Sequence, residues 1–168
     1  QIALASAVQA VDDACLSDTM PNPERSRVIF GTAIGGLDAA DDGIHHFRTQ
    51  GLSRVNPFTL PAGLPNISAF LIAQRFQCLG PNSTITTSCA SGTQSIGDAT
   101  EHIRRGIVDI VITGGTESVI RDFTIAGFSA MRALPVNFNN NPGSASRPFD
   151  AKREGFIFSE GAAALVLE

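Results

Sequence analysis

The sequence predicts an α/β layer fold, and three observations predict it. Two runs, "RVIF" (27–30) and "IVDIVIT" (107–113), are apolar enough to be strands covered on both faces. Around them lie segments whose apolar residues recur at helical spacing. Residues 83–113 read as strand, helix, strand, which implies parallel strands joined by a right-handed crossover. The 168 residues suffice for one domain with a real core and are too few for two ordinary ones. A composition 43% hydrophobic and 17% charged belongs to a folded chain rather than a disordered one.

Taken in order, Ile2, Ala5, Val8, Val11 and Cys15 give a helix over 2–15 with one apolar face, ended by Pro21 and Pro23. The strand 27–30 runs into the loop "GTAIGG". A second helix spans 37–50, with Leu37, Ala40, Ile44 and Phe47 on one side and Gly51 past its end. "NPFTLPAGLP" (56–65) reads as an irregular connector, followed by a helix at 66–76. Strand 83–88 leads into helix 91–105, with Ile96, Ala99 and Ile103 on one face and Gly106 as its stop. After strand 107–113 come a helix near 121–130, an Asn-rich loop (137–143), and two strand-like runs, "GFIF" and "GAAALVLE". The chain opens in a helix with no strand before it and stops inside an apolar strand, so a truncated domain is expected.

A net charge of −4 provides no electrostatic footprint for nucleic acid. No apolar run approaches the roughly 18 residues of a membrane span, and no basic-then-apolar leader opens the chain. Cys15, Cys78 and Cys89 are odd in number and far apart, which fits neither a disulfide framework nor a zinc site. A reducing, cytoplasm-like compartment is the simplest expectation.

Cys89 is the residue with chemistry to offer. In "TITTSCASGTQS" (84–95) it stands where a β-branched run stops and small residues begin. A thiol there would meet the free N–H groups and positive dipole of a helix start, which favour the thiolate and can hold an oxyanion. Ala90, Ser91 and Gly92 leave room for a substrate. Free cysteine is also among the most buried residue types, so the residues alone leave an inert thiol open. No base is at hand: His102 is 13 residues further along the same helix, about 20 Å at 1.5 Å per residue. His45 and His46, in "DDGIHHF", read as a solvated helix face.

The glycine loops match no nucleotide-binding pattern. Tight turns at strand ends account for "GTAIGG" and for "TGGTE" (113–117). Glu117 reads as a buried, hydrogen-bonded structural carboxylate in preference to a general acid or base. In "SRPFDAKREGF" (146–156), Arg147, Asp150, Lys152 and Arg153 read as ion pairs bracing a loop.

Six separated stretches then occur in one order: "GTAIGGL", "NPFTLPAGLPN", "LGPNSTITTSCASGTQSIGDA", "DIVITGGTE", "AGFSAMRAL" and "SRPFDAKREGFIFSEGAAALVLE". Together they resemble the amino-terminal half of an elongating type II β-ketoacyl-acyl-carrier-protein synthase or a polyketide ketosynthase domain. The resemblance covers residues 1–168, which are then an amino-terminal ketosynthase half-domain. It implies the thiolase-like fold, two similar α/β halves in α-β-α-β-α layers, and a homodimer. It implies Cys89 as the nucleophile of a decarboxylative Claisen condensation, with its own N–H in the oxyanion hole. Ile34, Thr59 and Phe128 match acyl-pocket positions, although many relatives have phenylalanine where Thr59 stands. Arg54 and Arg132 match basic positions that meet the acidic acyl carrier protein, while Ser53 replaces a residue that is often basic. Phe70 replaces a usual glycine and Glu154 a usual aspartate. No cofactor or metal is implied, because substrates ride on the carrier protein's phosphopantetheine. The cytoplasm, or an organellar stroma or matrix, is the implied compartment. The family's catalytic histidines and lysine and its phenylalanine gate lie in the carboxy-terminal half, so the chain alone is expected not to decarboxylate malonyl-carrier protein.

Two other functions compete. A non-condensing partner or scaffold would contribute only a dimer face and a pocket, and the intact Cys89 argues against it. A thiol hydrolase or transacylase would use only the acyl-transfer half of the chemistry, and would turn over thioesters without a condensation product.

Overall fold

A computed structural model describes residues 1–168. The chain forms two compact units, Gln1–Ser118 with Gly161–Glu168, and Val119–Glu160.

The first unit is built on a four-stranded sheet. Its elements are α1 (Ile2–Asp13), β1 (Ser26–Gly31), α2 (Leu37–Gln50), α3 (Thr59–Gly63), α4 (Ile67–Phe76), β2 (Ser83–Ile85), α5 (Ser91–Arg104), β3 (Ile110–Glu117) and β4 (Gly161–Leu167). The strand order is β2-β1-β3-β4. β1 is parallel to both neighbours, as the strand–helix–strand reading requires, and β4 is antiparallel to β3.

Strand alternation divides the core. Val28 and Phe30 of β1, with Ile110 and Ile112 of β3, pack against Ala3, Ala7 and Val11 of α1 and Ala69, Ile72 and Phe76 of α4. Ile29 and Val111, one residue out of phase, face Ala99 of α5 on the other side. All six residues of β1 are buried, which is why "RVIF" carries no polar alternation beyond Arg27.

Several expectations are corrected. The strand expected over 107–113 starts at Ile110 and runs on through "TGGTE" to Glu117, so those glycines lie in a strand and not in a turn. The reason is the close approach of β4: a Cβ on Gly114, whose φ is +152°, would stand 2.1 Å from the Ala163 carbonyl oxygen. The strand expected over 83–88 ends at Ile85, and the connector 56–65 contains the short helix α3. On α2 the buried residue is Gly43, while Ile44 and Phe47 of the expected apolar side are exposed. His45 and His46 are solvated as expected.

The second unit holds α6 (Asp122–Ala130), the Asn-rich loop and the loop carrying Arg147. Arg147 reaches Asp150 at 3.8 Å and lies over the Phe138 ring. Lys152 joins Asp150 through its backbone N–H and Arg153 donates to the Asp150 carbonyl, so the loop is braced by one ion pair and not by a set of them. "GFIF" (155–158) forms no strand. Gly155 turns at φ +128° against the Ala133 carbonyl, the Phe156 N–H donates to that oxygen, and Phe156 and Phe158 pack on Phe128.

Candidate active site

After β2 the chain turns sharply before α5 begins. Ser88 has φ +52°, left-handed backbone that costs a non-glycine residue about 1–2 kcal/mol. One 3-10 turn, Ser88–Ala90, carries Cys89 to the start of α5, and Cys89 is exposed. The expected placement between strand and helix therefore holds, with the turn inserted between them. No side chain caps the first amides of α5, so the helix start is open to an anion beside the thiol.

Ser91 holds this turn. Its buried hydroxyl accepts the Thr87 N–H at 2.9 Å and lies 2.7 Å from the Ser88 carbonyl and 3.2 Å from the Thr32 carbonyl, to which it donates. The backbone of Ser91 presses directly on Gly31, where a Cβ would stand 2.5 Å from the Ser91 carbonyl carbon and oxygen. The end of β1 and the start of α5 thus meet with no side chain between them.

Thr32 is the second fixed point. It is buried, its N–H donates to Ile85 at 3.0 Å, and its carbonyl accepts the Ser91 hydroxyl. Its own hydroxyl donates to Glu117 Oε1 at 3.2 Å and accepts the Gly35 N–H at 3.1 Å. Glu117, half-buried at the end of β3, has Oε2 on the Ala33 and Ile34 amides at 2.8 and 3.0 Å and Oε1 on the Gly35 amide at 3.2 Å. The carboxylate supports the loop, as the sequence implied. Ser91, expected to leave room for a substrate, is instead buried and spent on the turn. Thr32 carries no signal in the sequence because its partners Ile85, Ser91 and Glu117 lie on distant segments.

The other thiols and imidazoles do not join Cys89. Cys78 is buried, and burial pushes its thiol up to about 11, leaving it protonated and inert. Cys15 is exposed beyond α1. His102 sits at the far end of α5 against the guanidinium of buried Arg27. Burial lowers its pKa, and Arg27 lowers it further. Arg27 is lowered by burial in turn, opposed by Asp98, and also donates to the Ser83 hydroxyl at 3.0 Å. A cavity of about 490 Å³ lies behind the Glu117 loop, and Cys89 is not among its lining residues.

The family model for the β-ketoacyl synthase N-terminal domain matches residues 1–168. The chain belongs to the β-ketoacyl synthase family. It is 45% identical to a putative mitochondrial 3-oxoacyl-[acyl-carrier-protein] synthase of Schizosaccharomyces pombe, over all of this chain and 40% of that one. It is 40% identical to 3-oxoacyl-[acyl-carrier-protein] synthase 2 of Rhizobium meliloti, over 95% of this chain and 39% of the relative. Among solved structures, a type II polyketide ketosynthase bound to its acyl carrier protein and a hexaketide superimposes with TM-score 0.92 at 29% identity, over 100% of this chain and 42% of that one. A β-ketoacyl synthase from Burkholderia phymatum superimposes with TM-score 0.87 at 28% identity, over 99% and 40%. The chain spans about two fifths of the length of these relatives. The thiolase-like fold of ketosynthases is thus the fold of this chain, with its amino-terminal half in hand.

Within this ketosynthase half, the residues matched to family positions sit as follows. Ile34 is half-buried on the loop whose amides Glu117 holds. Thr59 opens α3 and turns its methyl into the space a side chain on Gly43 would need. Phe128 is half-buried in the second unit, 5.3 Å from the Phe156 ring and 5.1 Å from that of Phe158. Arg54, ending a one-turn helix, and Arg132, after α6 at φ +55°, are both exposed. Glu154 accepts a hydrogen bond from Asn137 at 2.9 Å, and Phe70 is an exposed ring on α4. No helix is long and apolar enough to cross a membrane.

Proposed function

We propose that the chain is the nucleophile-bearing part of a 3-oxoacyl-[acyl-carrier-protein] synthase. The observation that carries this is an exposed Cys89 on a pinned turn at an uncapped helix start. The Cys89 thiolate attacks the thioester carbonyl of an acyl-carrier protein, the oxyanion is met by amides at the turn, and the carbon–sulfur bond to the carrier breaks. The carrier's thiolate leaves and takes up the proton that the Cys89 thiol gave up. Malonyl-carrier protein then loses carbon dioxide, its carbanion attacks the acyl carbonyl, and the Cys89 thiolate departs.

In this reading Ile34 and Thr59 of the first unit are acyl-pocket positions, as is Phe128 of the second, and Arg54 and Arg132 are carrier-binding positions. The catalytic histidines come from the carboxy-terminal half of the protein, which works as a homodimer. Its substrates arrive on phosphopantetheine, so no further cofactor enters. Relatives named mitochondrial in Schizosaccharomyces pombe and Arabidopsis thaliana favour an organellar matrix over the cytoplasm. The presence of a cysteine at position 89 favours the enzyme over a non-condensing scaffold, which needs no nucleophile.

The test is condensation by the full-length protein. Acyl- and malonyl-carrier protein should give 3-oxoacyl-carrier protein with an equal amount of carbon dioxide, and Cys89→Ala should give no condensed product. Condensation at an undiminished rate by Cys89→Ala overturns the proposal.

A further inference from the structure

Glu117 is doing more with its carboxylate than a surface ion pair would. Four donors converge on it: the Thr32 hydroxyl and the amides of Ala33, Ile34 and Gly35. Consecutive amides turned toward one anion form a concave nest of the type that binds phosphate, and here the chain supplies the anion itself. The conformation of residues 33–35, and with it the placement of Ile34, therefore follows the position of the Glu117 carboxylate.

The same loop is locked to the nucleophile. Thr32 donates its hydroxyl to Glu117, donates its N–H to Ile85 just before the Cys89 turn, and accepts the Ser91 hydroxyl just after it. β3, the Ile34 loop and the Cys89 turn thus share one hydrogen-bonded frame in which every link is a named bond of 3.2 Å or less. We propose that Glu117 is a positioning residue for acyl-chain selection, setting Ile34 relative to Cys89 through the amides of residues 33–35 and through Thr32. The proposal rests on Cys89 being the acylated residue and on Ile34 lining the acyl pocket.

Glu117→Gln separates positioning from mere support. Glutamine keeps the length of the side chain but has one accepting oxygen, and its NH₂ donates. With the NH₂ toward Ala33 and Ile34 both amides would face a donor; with it toward Gly35 the Thr32 hydroxyl can turn to accept it, and Gly35 keeps only its bond to that hydroxyl at 3.1 Å. In either case the charge that draws the three amides together is lost and the nest is weakened. Ser91 and the turn at Cys89 keep their own bonds.

Full-length protein and its variants are compared by intact mass for Cys89 acylation with short and long acyl thioesters, and by alkylation with iodoacetamide. Iodoacetamide is too small to sense the pocket and reads the turn alone. Glu117→Gln should stay within twofold of wild type in alkylation while the long-to-short acylation ratio moves about tenfold. Thr32→Val, which removes only the hydroxyl, should move the ratio in the same direction by about threefold, and Thr32→Ser should restore it. An unchanged ratio in folded Glu117→Gln overturns the proposal. If that variant does not fold, an unchanged ratio in Thr32→Val does so. Failure of the wild type to be acylated by any thioester defeats the parent reading instead, and is seen before any variant is made.

Discussion

Ser91→Ala tests how Cys89 is held. The substitution removes the acceptor for the Thr87 N–H and the donor shared by the Ser88 and Thr32 carbonyls. What remains is the Ala90 N–H on the Thr87 carbonyl at 3.1 Å and the Ser91 N–H on that of Ser88. Lost bonds of this kind cost about 1 kcal/mol each. The left-handed Ser88 is itself disfavoured by about 1–2 kcal/mol, so the turn gains a relaxed alternative of comparable energy. If the relaxed turn is favoured by about 1.4 kcal/mol, only about a tenth of molecules present the sulfur correctly. The expected result is a roughly tenfold slower acylation of Cys89, read by intact mass in single-turnover mixing, with the thermal midpoint lowered by a few degrees. Ser91→Thr, which retains the hydroxyl, should recover most of the rate. Acylation of folded Ser91→Ala at the wild-type rate would refute the reasoning.

Gly31→Ala drives a methyl into the Ser91 backbone at 2.5 Å and should cost about 3 kcal/mol in urea denaturation; a loss under 1 kcal/mol would show that β1 and α5 can separate. His102 has its pKa lowered by burial and by Arg27, with Arg105 adding to the effect and Asp98 opposing it. The unfolded chain therefore binds the extra proton first: stability is full above the ordinary histidine value of about 6.5 and falls as pH drops below it. His102→Gln should flatten that acid slope in urea midpoints taken from pH 7.5 to pH 5.5, and an unchanged slope would assign it to other groups. The 168-residue chain on its own should release no carbon dioxide from malonyl-carrier protein, because its imidazoles sit on α2 and at the far end of α5; measurable release would place a decarboxylating group within it.

The helices α1, α2, α4 and α5 all fall within two residues of their expected bounds, but the buried face was less legible. On α1 Ala3, Ala7 and Val11 are buried while Ile2, Ala5 and Cys15 of the expected stripe are exposed, and on α2 only Gly43 is buried. β1 was legible because a strand buried on both faces is apolar through its centre, Val28 to Phe30, with Ser26 and Arg27 as its buried polar exceptions. The course of β3 was not, since the two glycines of "TGGTE" signal a turn locally and only the antiparallel arrival of β4, nearly fifty residues later, makes them strand residues. "GFIF" misled for the opposite reason, as its phenylalanines satisfy each other and need no sheet. At the site, Cys89 stood out because a β-branched run breaks into small residues there, and Glu117 because a lone carboxylate at a strand end needs donors. Ser91 and Thr32 were invisible as a pair: their bond joins side chain to backbone across 59 residues, and no local pattern encodes it.

The most direct test of the account is peptide mapping after exposure to an acyl thioester. Cys15 and Cys89 are both exposed and Cys78 is buried, so accessibility alone would label two thiols. The account predicts a single acyl group, on the peptide carrying Cys89, abolished by Cys89→Ala. Acylation of Cys15 at an equal rate, or an adduct that survives Cys89→Ala, would contradict it.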